Sequence, residues 1–150
     1  MPNTPSIEII VRGTLVRGSR LLVCRSVQHG YAYLPGGHVA FGESAQAALE
    51  REFLEETGRS VRAGRCSLVA EEMFEQQGIR RHEYSLVFHV EHAGPTDRLD
   101  AVKSREPAIT FDWIDVAAVG DIDLRPASIR AWLVAGAPAP GEFYVPATPH

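Results

Sequence analysis

The chain has 150 residues, of which 45% are hydrophobic and 23% charged, and its formal net charge is −4. This length predicts a single domain over residues 1–150 that is large enough to bury its own core. The weakly acidic balance argues against binding to duplex nucleic acid or to an anionic membrane surface, since both favour basic proteins. No apolar run approaches the roughly 20 residues of a membrane span, and the N-terminus does not resemble a secretory leader, so we expect a cytoplasmic protein.

The N-terminal part predicts a β-hairpin. Residues 7–16 are rich in β-branched side chains, which favour strands. A turn at 17–19 separates them from a second apolar strand at 21–25. Residues 31–34 are predicted to form a short extended piece, and Pro35-Gly36-Gly37 is expected to interrupt regular structure.

A helix is predicted immediately after this loop. Ser44 is suited to cap its N-terminus, because a serine side chain can accept a hydrogen bond from a free backbone N–H of the first turn. The negative charge of Glu43 favours the positive end of the helix dipole. The helix should continue to about Thr57, and Gly58 stands where a C-terminal capping glycine is common.

The C-terminal part predicts further strands and one more helix. Tyr84, Leu86, Phe88 and Val90 alternate with polar or smaller residues, which is a strand pattern. The helix is expected to have Pro126 in its first turn. The predicted elements are an extended segment at 61–74, a turn at 76–78, the alternating strand, an irregular stretch at 93–107, a strand at 109–114 and a helix at 125–134. Together they predict an α/β fold in which helices flank a mixed sheet, with irregular tails at 1–6 and about 138–150.

The helix at 45–57 carries acidic residues on its apolar side. At 100° per residue with Ala45 at 0°, Leu49 lies at about 40° and Phe53 at about 80°. Glu52 lies at about 340° and Glu56 at about 20°, in the middle of this apolar arc, and Glu55 lies at its edge at about 280°. Unpaired carboxylates on a buried face are costly and repel each other, so a cation is expected among them.

A divalent cation fits this pattern better than a single arginine does. Mg²⁺ prefers oxygen ligands, often carboxylates that it shares with substrate phosphates. Gly36-Gly37 can also bring the backbone close to a ligand or expose a carbonyl to a metal. The two cysteines form no CxxC pair, so a zinc site is not predicted. A solvated acidic helix face is the alternative that these residues leave open.

The segment 37–59 resembles the signature of the Nudix family, which includes the MutT proteins. That signature is G-x5-E-x7-R-E-U-x-E-E-x-G-U, where U is a bulky aliphatic residue. Two positions differ, since Phe53 occupies the first U and Arg59 the last. The positions that match are Gly37, Glu43, Arg51, Glu52, Glu55, Glu56 and Gly58. The resemblance implies a Nudix-type α/β/α sandwich and hydrolysis of a diphosphate linkage with Mg²⁺, or alternatively Mn²⁺.

The resemblance also implies roles for individual residues. Glu52, Glu55 and Glu56 would be metal ligands, together with the carbonyl of Gly36. Arg51 would orient a glutamate by ion pairing, and Glu43 would brace the loop against the helix. A metal ion neutralises the diphosphate and lowers the pKa of bound water, and a carboxylate then accepts the proton of that water.

The general base and the substrate contacts are less strictly defined by the signature. Glu52, Glu83 and Glu106 are the candidate bases, and Glu83 is also a candidate metal ligand. Tyr31 and Tyr33 are candidates for stacking on a nucleobase, because aromatic faces accept any base. His38 follows the two glycines and is a candidate for contact with phosphate. Packing without any contact to a ligand is the alternative for each of these side chains.

The expected substrate is a nucleoside triphosphate or a nucleoside diphosphate derivative. Markers of particular Nudix subfamilies are missing, so the sequence does not select one substrate. The alternative function is a catalytically silent Nudix module that binds a nucleotide as a sensor. An RNA-end hydrolase is disfavoured because the chain has no basic tract. The resemblance also makes a homodimer an expectation.

Overall fold

The computed structural model describes residues 4–93 and 102–137, and the backbone of 144–145. The long helices are α1 (Ala45–Thr57) and α2 (Ala127–Val134), and a 3₁₀ helix covers Val116–Asp121. The strands are β1 (Ile7–Arg17), β2 (Arg20–Ser26), β3 (Ala32–Tyr33), β4 (Gly36–His38), β5 (Val61–Gln76), β6 (Ile79–His92), β7 (Ile109–Asp115) and β8 (Tyr144–Val145). No helix among the described residues has the length and apolarity needed to cross a membrane.

The strands form one mixed sheet with β1 near its centre. The order within the described residues is β3-β2-β1-β6-β5-β8, while β4 also pairs with β1 and β7 with β2. β1 is parallel to β6, whereas β5 and β6 form a long antiparallel hairpin. β2 and β4 share one edge of β1, since β4 pairs with Ile10–Arg12 and β2 pairs with Val16 and Arg17.

Helices cover both faces of this sheet and enclose two apolar clusters. On one face α1 inserts Ala48, Leu49 and Phe53 against strand residues that include Val11 and Val90. On the other face α2 and the 3₁₀ helix pack against strand residues such as Val23, Leu68 and Val87, using Val119, Ile129, Trp132 and Leu133. The predicted α/β/α sandwich with a mixed sheet is therefore confirmed.

The limits of α1 agree with the sequence. The Ser44 hydroxyl accepts a hydrogen bond from the backbone N–H of Ala47 at 3.1 Å, which satisfies a free donor of the first turn. Gly58 adopts a left-handed conformation with φ of 72°, and its N–H donates to the carbonyl of Leu54. The predicted helix and both of its caps are confirmed.

Three local predictions were wrong. Gly36–His38 forms the strand β4 instead of interrupting regular structure. Backbone pairing with β1 stabilises this strand, although glycine has a low intrinsic preference for strands. Tyr144–Val145 forms a strand beside β5 inside a tail that was expected to be irregular, and the rest of 138–150 lies outside the described residues. The second helix begins at Ala127 rather than residue 125, because Pro126 is extended, with ψ of 163°.

The packing of α1 predicts an asymmetric response to truncation of two adjacent residues. Phe53 is 1% exposed at the centre of its cluster, whereas Leu54 is 48% exposed on the same helix. We expect Phe53→Ala to reduce the free energy of unfolding by about 3–5 kcal/mol through lost burial and a residual cavity. Leu54→Ala should cost less than about 1 kcal/mol. Urea unfolding measures both, and equal losses would contradict the assigned face of α1.

Candidate active site

A cleft of about 790 Å³ opens on the face of the sheet opposite α1. Its floor is formed by β1, β5 and β6, its walls by β3 and the start of α2, and one end by β4 together with the edge of α1. Glu52 and Glu56 reach this end of the cleft from α1. The structure thus brings residues from all parts of the described chain to one concave site.

The two glycines of β4 allow an unusually close approach of backbone and helix. A Cβ on Gly36 would lie 1.8 Å from the carbonyl oxygen of Val11, and the φ of Gly36 is +153°. A Cβ on Gly37 would lie 2.4 Å from the carboxyl carbon of Glu52. A side chain at either position would therefore displace β1 or the Glu52 carboxylate.

Arg51 ties the loop before α1 to the helix. Its guanidinium donates two hydrogen bonds to the Glu43 carboxylate, at 2.6 and 3.1 Å, and one to the carbonyl oxygen of His38 at 3.1 Å. Glu43 also accepts a hydrogen bond from the backbone N–H of Ala40. The hydrogen bonds from Arg51 and Ala40 lower the pKa of Glu43 to about 2. This arrangement suits the bracing role predicted for Glu43.

The same arginine contacts two of the other glutamates. Arg51 Nη1 lies 3.1 Å from Glu52 Oε1 and 3.2 Å from Glu55 Oε2. The Glu52 side chain is only 16% exposed, whereas the Glu55 side chain is 56% exposed and does not line the cleft. Of the three glutamates expected to bind metal, Glu52 and Glu56 therefore line the cleft, whereas Glu55 is exposed to solvent.

Glu56 is the most deeply placed carboxylate of the set. Its Oε2 atom is buried and makes no hydrogen bond within the described residues. Burial and the neighbouring Glu52 carboxylate raise the pKa of Glu56 to about 8, although the Arg12 charge partly opposes this rise. A buried oxygen without a partner beside a second carboxylate is a costly arrangement that a cation would relieve.

The residues at this end of the cleft fit a magnesium ion. Glu52, Glu56 and the carbonyl of Gly36 could supply oxygen ligands, and Mg²⁺ commonly uses only one or two carboxylates with water and substrate phosphates. Within the described ranges no three His, Cys, Asp or Glu side chains converge as a metal cluster. Such a donor set would be a pair of carboxylates with a backbone carbonyl, which leaves coordination positions for phosphate oxygens.

The two other candidate acids have different positions. Glu83 lies on the floor of the cleft, and burial raises its pKa while Arg12 opposes the rise. Glu106 is exposed on the segment after residue 101, where the N–H of Arg105 donates to the carbonyl of Glu56 at 2.8 Å. The Glu106 charge contributes to the raised pKa of Glu56. Residues 94–101 of the predicted irregular stretch lie outside the described residues.

Aromatic side chains line one wall of the cleft. Tyr31 and Tyr33 lie with ring centroids 5.9 Å apart. The guanidinium of Arg125 covers the Tyr31 ring at 4.5 Å and forms two hydrogen bonds to Asp123. His38 lies at the margin, with its Nε2 atom 3.5 Å from Glu8 Oε1. Both tyrosines and His38 line the cleft, and their contact with a substrate stays a prediction.

Several cleft residues were not identified from the sequence. The alternation of β1 and β5 could have placed Arg12 and Glu72 on the cleft face, since charged residues within apolar strands are uncommon. Asp123 and Arg125 carry no such signal, because they come from an irregular segment that only the fold brings to Tyr31. The residues missed are Arg12, Glu72, Asp123, Arg125 and Arg130.

Comparison with known proteins shows the family to which the chain belongs. The model of the NUDIX domain matches residues 5–133, so the chain belongs to the Nudix family. Members of this family are hydrolases of phosphorus-containing acid anhydrides, which is the class of enzyme that the signature predicted. The predicted family membership is confirmed.

Individual relatives are similar over different lengths. The MutT protein of Methanosarcina mazei superposes with a TM-score of 0.69 at 22% identity, covering 89% of this chain and 94% of that one. The E. coli ORF135 protein superposes with a TM-score of 0.64 at 25% identity, covering 89% and 91%. A Mycobacterium tuberculosis protein named "Putative 8-oxo-dGTP diphosphatase 2" is 47% identical over 58 residues, which is 36% of this chain and 41% of the relative.

The Glu43–Arg51 contact predicts a pH-dependent contribution to stability. Because the pKa of Glu43 is lowered from 4.5 to about 2, its stabilising effect is complete above pH 4.5 and is lost as the pH falls toward 2. We expect Glu43→Gln to be less stable than the wild type at pH 6 and the difference to shrink progressively below pH 4.5. Urea unfolding at several pH values measures this, with the exposed Glu91→Gln as control. A difference independent of pH would contradict the ion pair.

Proposed function

We propose that the protein is a Mg²⁺-dependent pyrophosphohydrolase, with Mn²⁺ as an alternative metal, that cleaves a diphosphate linkage in a nucleoside triphosphate or a nucleoside diphosphate derivative. The observation that carries the proposal is the pair Glu52 and Glu56 at the glycine end of the cleft, with Glu56 Oε2 buried and without a hydrogen-bond partner among the described residues. Hydrolysis of nucleotides suits a cytoplasmic location, which we therefore propose for this protein. Formation of a homodimer stays a prediction.

Different residues of the cleft would bind the metal and accept the proton of water. Glu52, Glu56 and the carbonyl of Gly36 would hold the metal, which neutralises phosphate charge and lowers the pKa of a bound water when present. A carboxylate facing the cleft then accepts the proton of the attacking water. Glu52 and Glu83 both line the cleft and are the better placed candidates, whereas Glu106 stands outside its lining.

Arg51 supports this chemistry from outside the cleft. By holding Glu52 and Glu43 together it restricts the rotation of the Glu52 side chain, so that the carboxylate stays over Gly37. Glu55, on the solvent side, accepts a hydrogen bond from the same guanidinium. Glu55 would reach the metal only through a bridging water, since its carboxylate does not line the cleft.

The aromatic wall offers a place for the base of the substrate. Tyr31 and Tyr33 present adjacent rings along one side of the cleft, and Phe74 lines the cleft from β5. Stacking tolerates any base, so polar groups near the rings must provide selectivity. The short match to the M. tuberculosis protein supports an oxidised purine triphosphate such as 8-oxo-dGTP as the first substrate to test.

The first test of the function is metal-dependent hydrolysis. We expect the wild type to cleave the diphosphate linkage of at least one nucleotide with Mg²⁺ or Mn²⁺ and to be inactive with EDTA. Glu52→Gln and Glu56→Gln should each lower kcat by about 10²–10⁴-fold, because each removes a charge that the reaction uses. Products are resolved by chromatography over a panel that contains NTPs, 8-oxo-dGTP, ADP-ribose and nucleotide sugars.

Matched controls decide how this result is interpreted. Glu91→Gln removes an exposed carboxylate on β6 outside the cleft and should keep full activity. Full activity in Glu52→Gln and Glu56→Gln would contradict the proposed site. Nucleotide binding by a folded wild type without turnover of any compound would favour the alternative of a catalytically silent sensor.

The aromatic wall gives a separate prediction about substrate affinity. Tyr31→Ala and Tyr33→Ala should raise KM by about 5- to 100-fold with little change in kcat, because base stacking contributes about 1–3 kcal/mol to binding. Tyr31→Phe keeps the ring and should behave nearly as the wild type. Steady-state kinetics on the best substrate measures these effects. A loss confined to kcat would show that the tyrosines do not hold the base.

A further inference from the structure

Arg12 is a cation on the floor of the cleft, which is also lined by Glu52, Glu56 and Glu83. It lies on β1, opposite Gly36 of β4 on one side and Val87 of β6 on the other. Its Nη1 atom donates to the carbonyl oxygen of Leu34 at 3.2 Å, and its guanidinium covers the Tyr33 ring at 5.3 Å from the centroid. These two contacts direct the side chain toward the end of the cleft that contains Glu52 and Glu56.

The charge of Arg12 is not neutralised by an ion pair within the described residues. Within the part of the chain that the structure describes, Arg51 pairs with glutamates and Arg125 pairs with Asp123, whereas Arg12 forms no such pair. Its Nε atom is buried and makes no hydrogen bond within the same residues. Arg12 is still close enough to lower the pKa of both Glu56 and Glu83. It therefore lies between the acids without neutralising either by contact.

Such an arrangement leaves a positive charge available for a ligand. A partly buried guanidinium whose Nε atom has no acceptor among the described residues is costly, and its neighbour in the next strand, Val87, is fully buried and apolar. A cation held by Glu52 and Glu56 would satisfy those acids, and the Arg12 charge would then face an anion in the cleft. The planar fork of arginine suits two phosphate oxygens at once.

We propose that Arg12 binds the diphosphate of the substrate and thereby sets the direction in which the substrate lies in the cleft. This inference rests on the proposed function. Arg12, Tyr33, Tyr31 and Arg125 form a continuous row along the wall. Among the described residues the outer cation, Arg125, pairs with Asp123, and Arg130 of α2 donates to the carbonyl of Gly120, whereas Arg12 is the arginine close to Glu56 and Glu83. The phosphates therefore lie at the Arg12 end and the base lies on the tyrosines.

Binding of a base-free diphosphate analogue tests this assignment directly. Imidodiphosphate resists hydrolysis and carries the proposed anion without a base, so its affinity in the presence of Mg²⁺ isolates the phosphate contact. Isothermal titration should show that Arg12→Gln weakens binding by about 10- to 100-fold, the range for hydrogen bonds between charged groups. Arg12→Lys keeps the charge without the fork and should fall between Arg12→Gln and the wild type. Arg62→Gln, an exposed arginine on β5, should bind as the wild type does.

A merely structural role for Arg12 gives a different result. If Arg12 served only to hold Leu34 or to offset Glu56, Arg12→Gln would lower the thermal midpoint or the affinity for Mn²⁺ measured alone. Arg12→Lys would then bind imidodiphosphate like the wild type whenever it folds. Unchanged imidodiphosphate affinity in a folded Arg12→Gln protein would overturn the inference, as would a wild type that does not bind imidodiphosphate.

The test separates this inference from the proposed function. A wild type that hydrolyses a nucleotide while Arg12→Gln binds imidodiphosphate normally would remove the role of Arg12 and keep the hydrolase. A wild type that binds imidodiphosphate through Arg12 but hydrolyses no nucleotide would keep the phosphate contact and remove the hydrolase.

Discussion

The candidate site depends on the close contact between Gly37 and the carboxylate of Glu52. This contact exists because β4 passes between the backbone of β1 and the edge of α1, where only glycines leave enough room. It brings the carbonyl of Gly36 and two acidic side chains of α1 to the same end of the cleft. The loop that follows is then fixed by Arg51 through Glu43 and the carbonyl of His38. Without the close approach, the glutamates would face solvent or the apolar cluster.

Two arginines divide the electrostatics of this region. Arg51 lies on the solvent side of Glu52 and forms short contacts with three glutamates, so it positions them. Arg12 lies on the cleft side and forms no ion pair with them among the described residues, although its charge partly opposes the rise in the pKa of Glu56. The first arrangement favours rigidity, because every donor is used. The second favours binding of an anion, because an arginine without an ion pair among the described residues can form new charged hydrogen bonds with a ligand.

Much of the fold could be predicted from local patterns, whereas the site could be predicted only in part. Ser44 and Gly58 are local signals, and they fixed the limits of α1 correctly. The angular position of Glu52 and Glu56 on α1 was enough to predict that both point inward, and both line the cleft. The same reasoning did not predict the position of Glu55. A side chain at the edge of the apolar arc can turn to either side, and Glu55 turns toward Arg51 and solvent. The pairing of β4 with β1 is a contact between distant segments that no local pattern contains.

The floor of the cleft carries a row of acidic residues on neighbouring strands. Glu8, Glu83 and Glu72 are paired across three adjacent strands and form an acidic row on the cleft face. Four residues further along β1 the corresponding row is Arg12, Val87 and Leu68, and the last two are fully buried. A sheet that served only as a scaffold would continue the apolar row outward. The change from an apolar to a charged floor, with one cation at the boundary, is a departure from core packing that a functional site would explain.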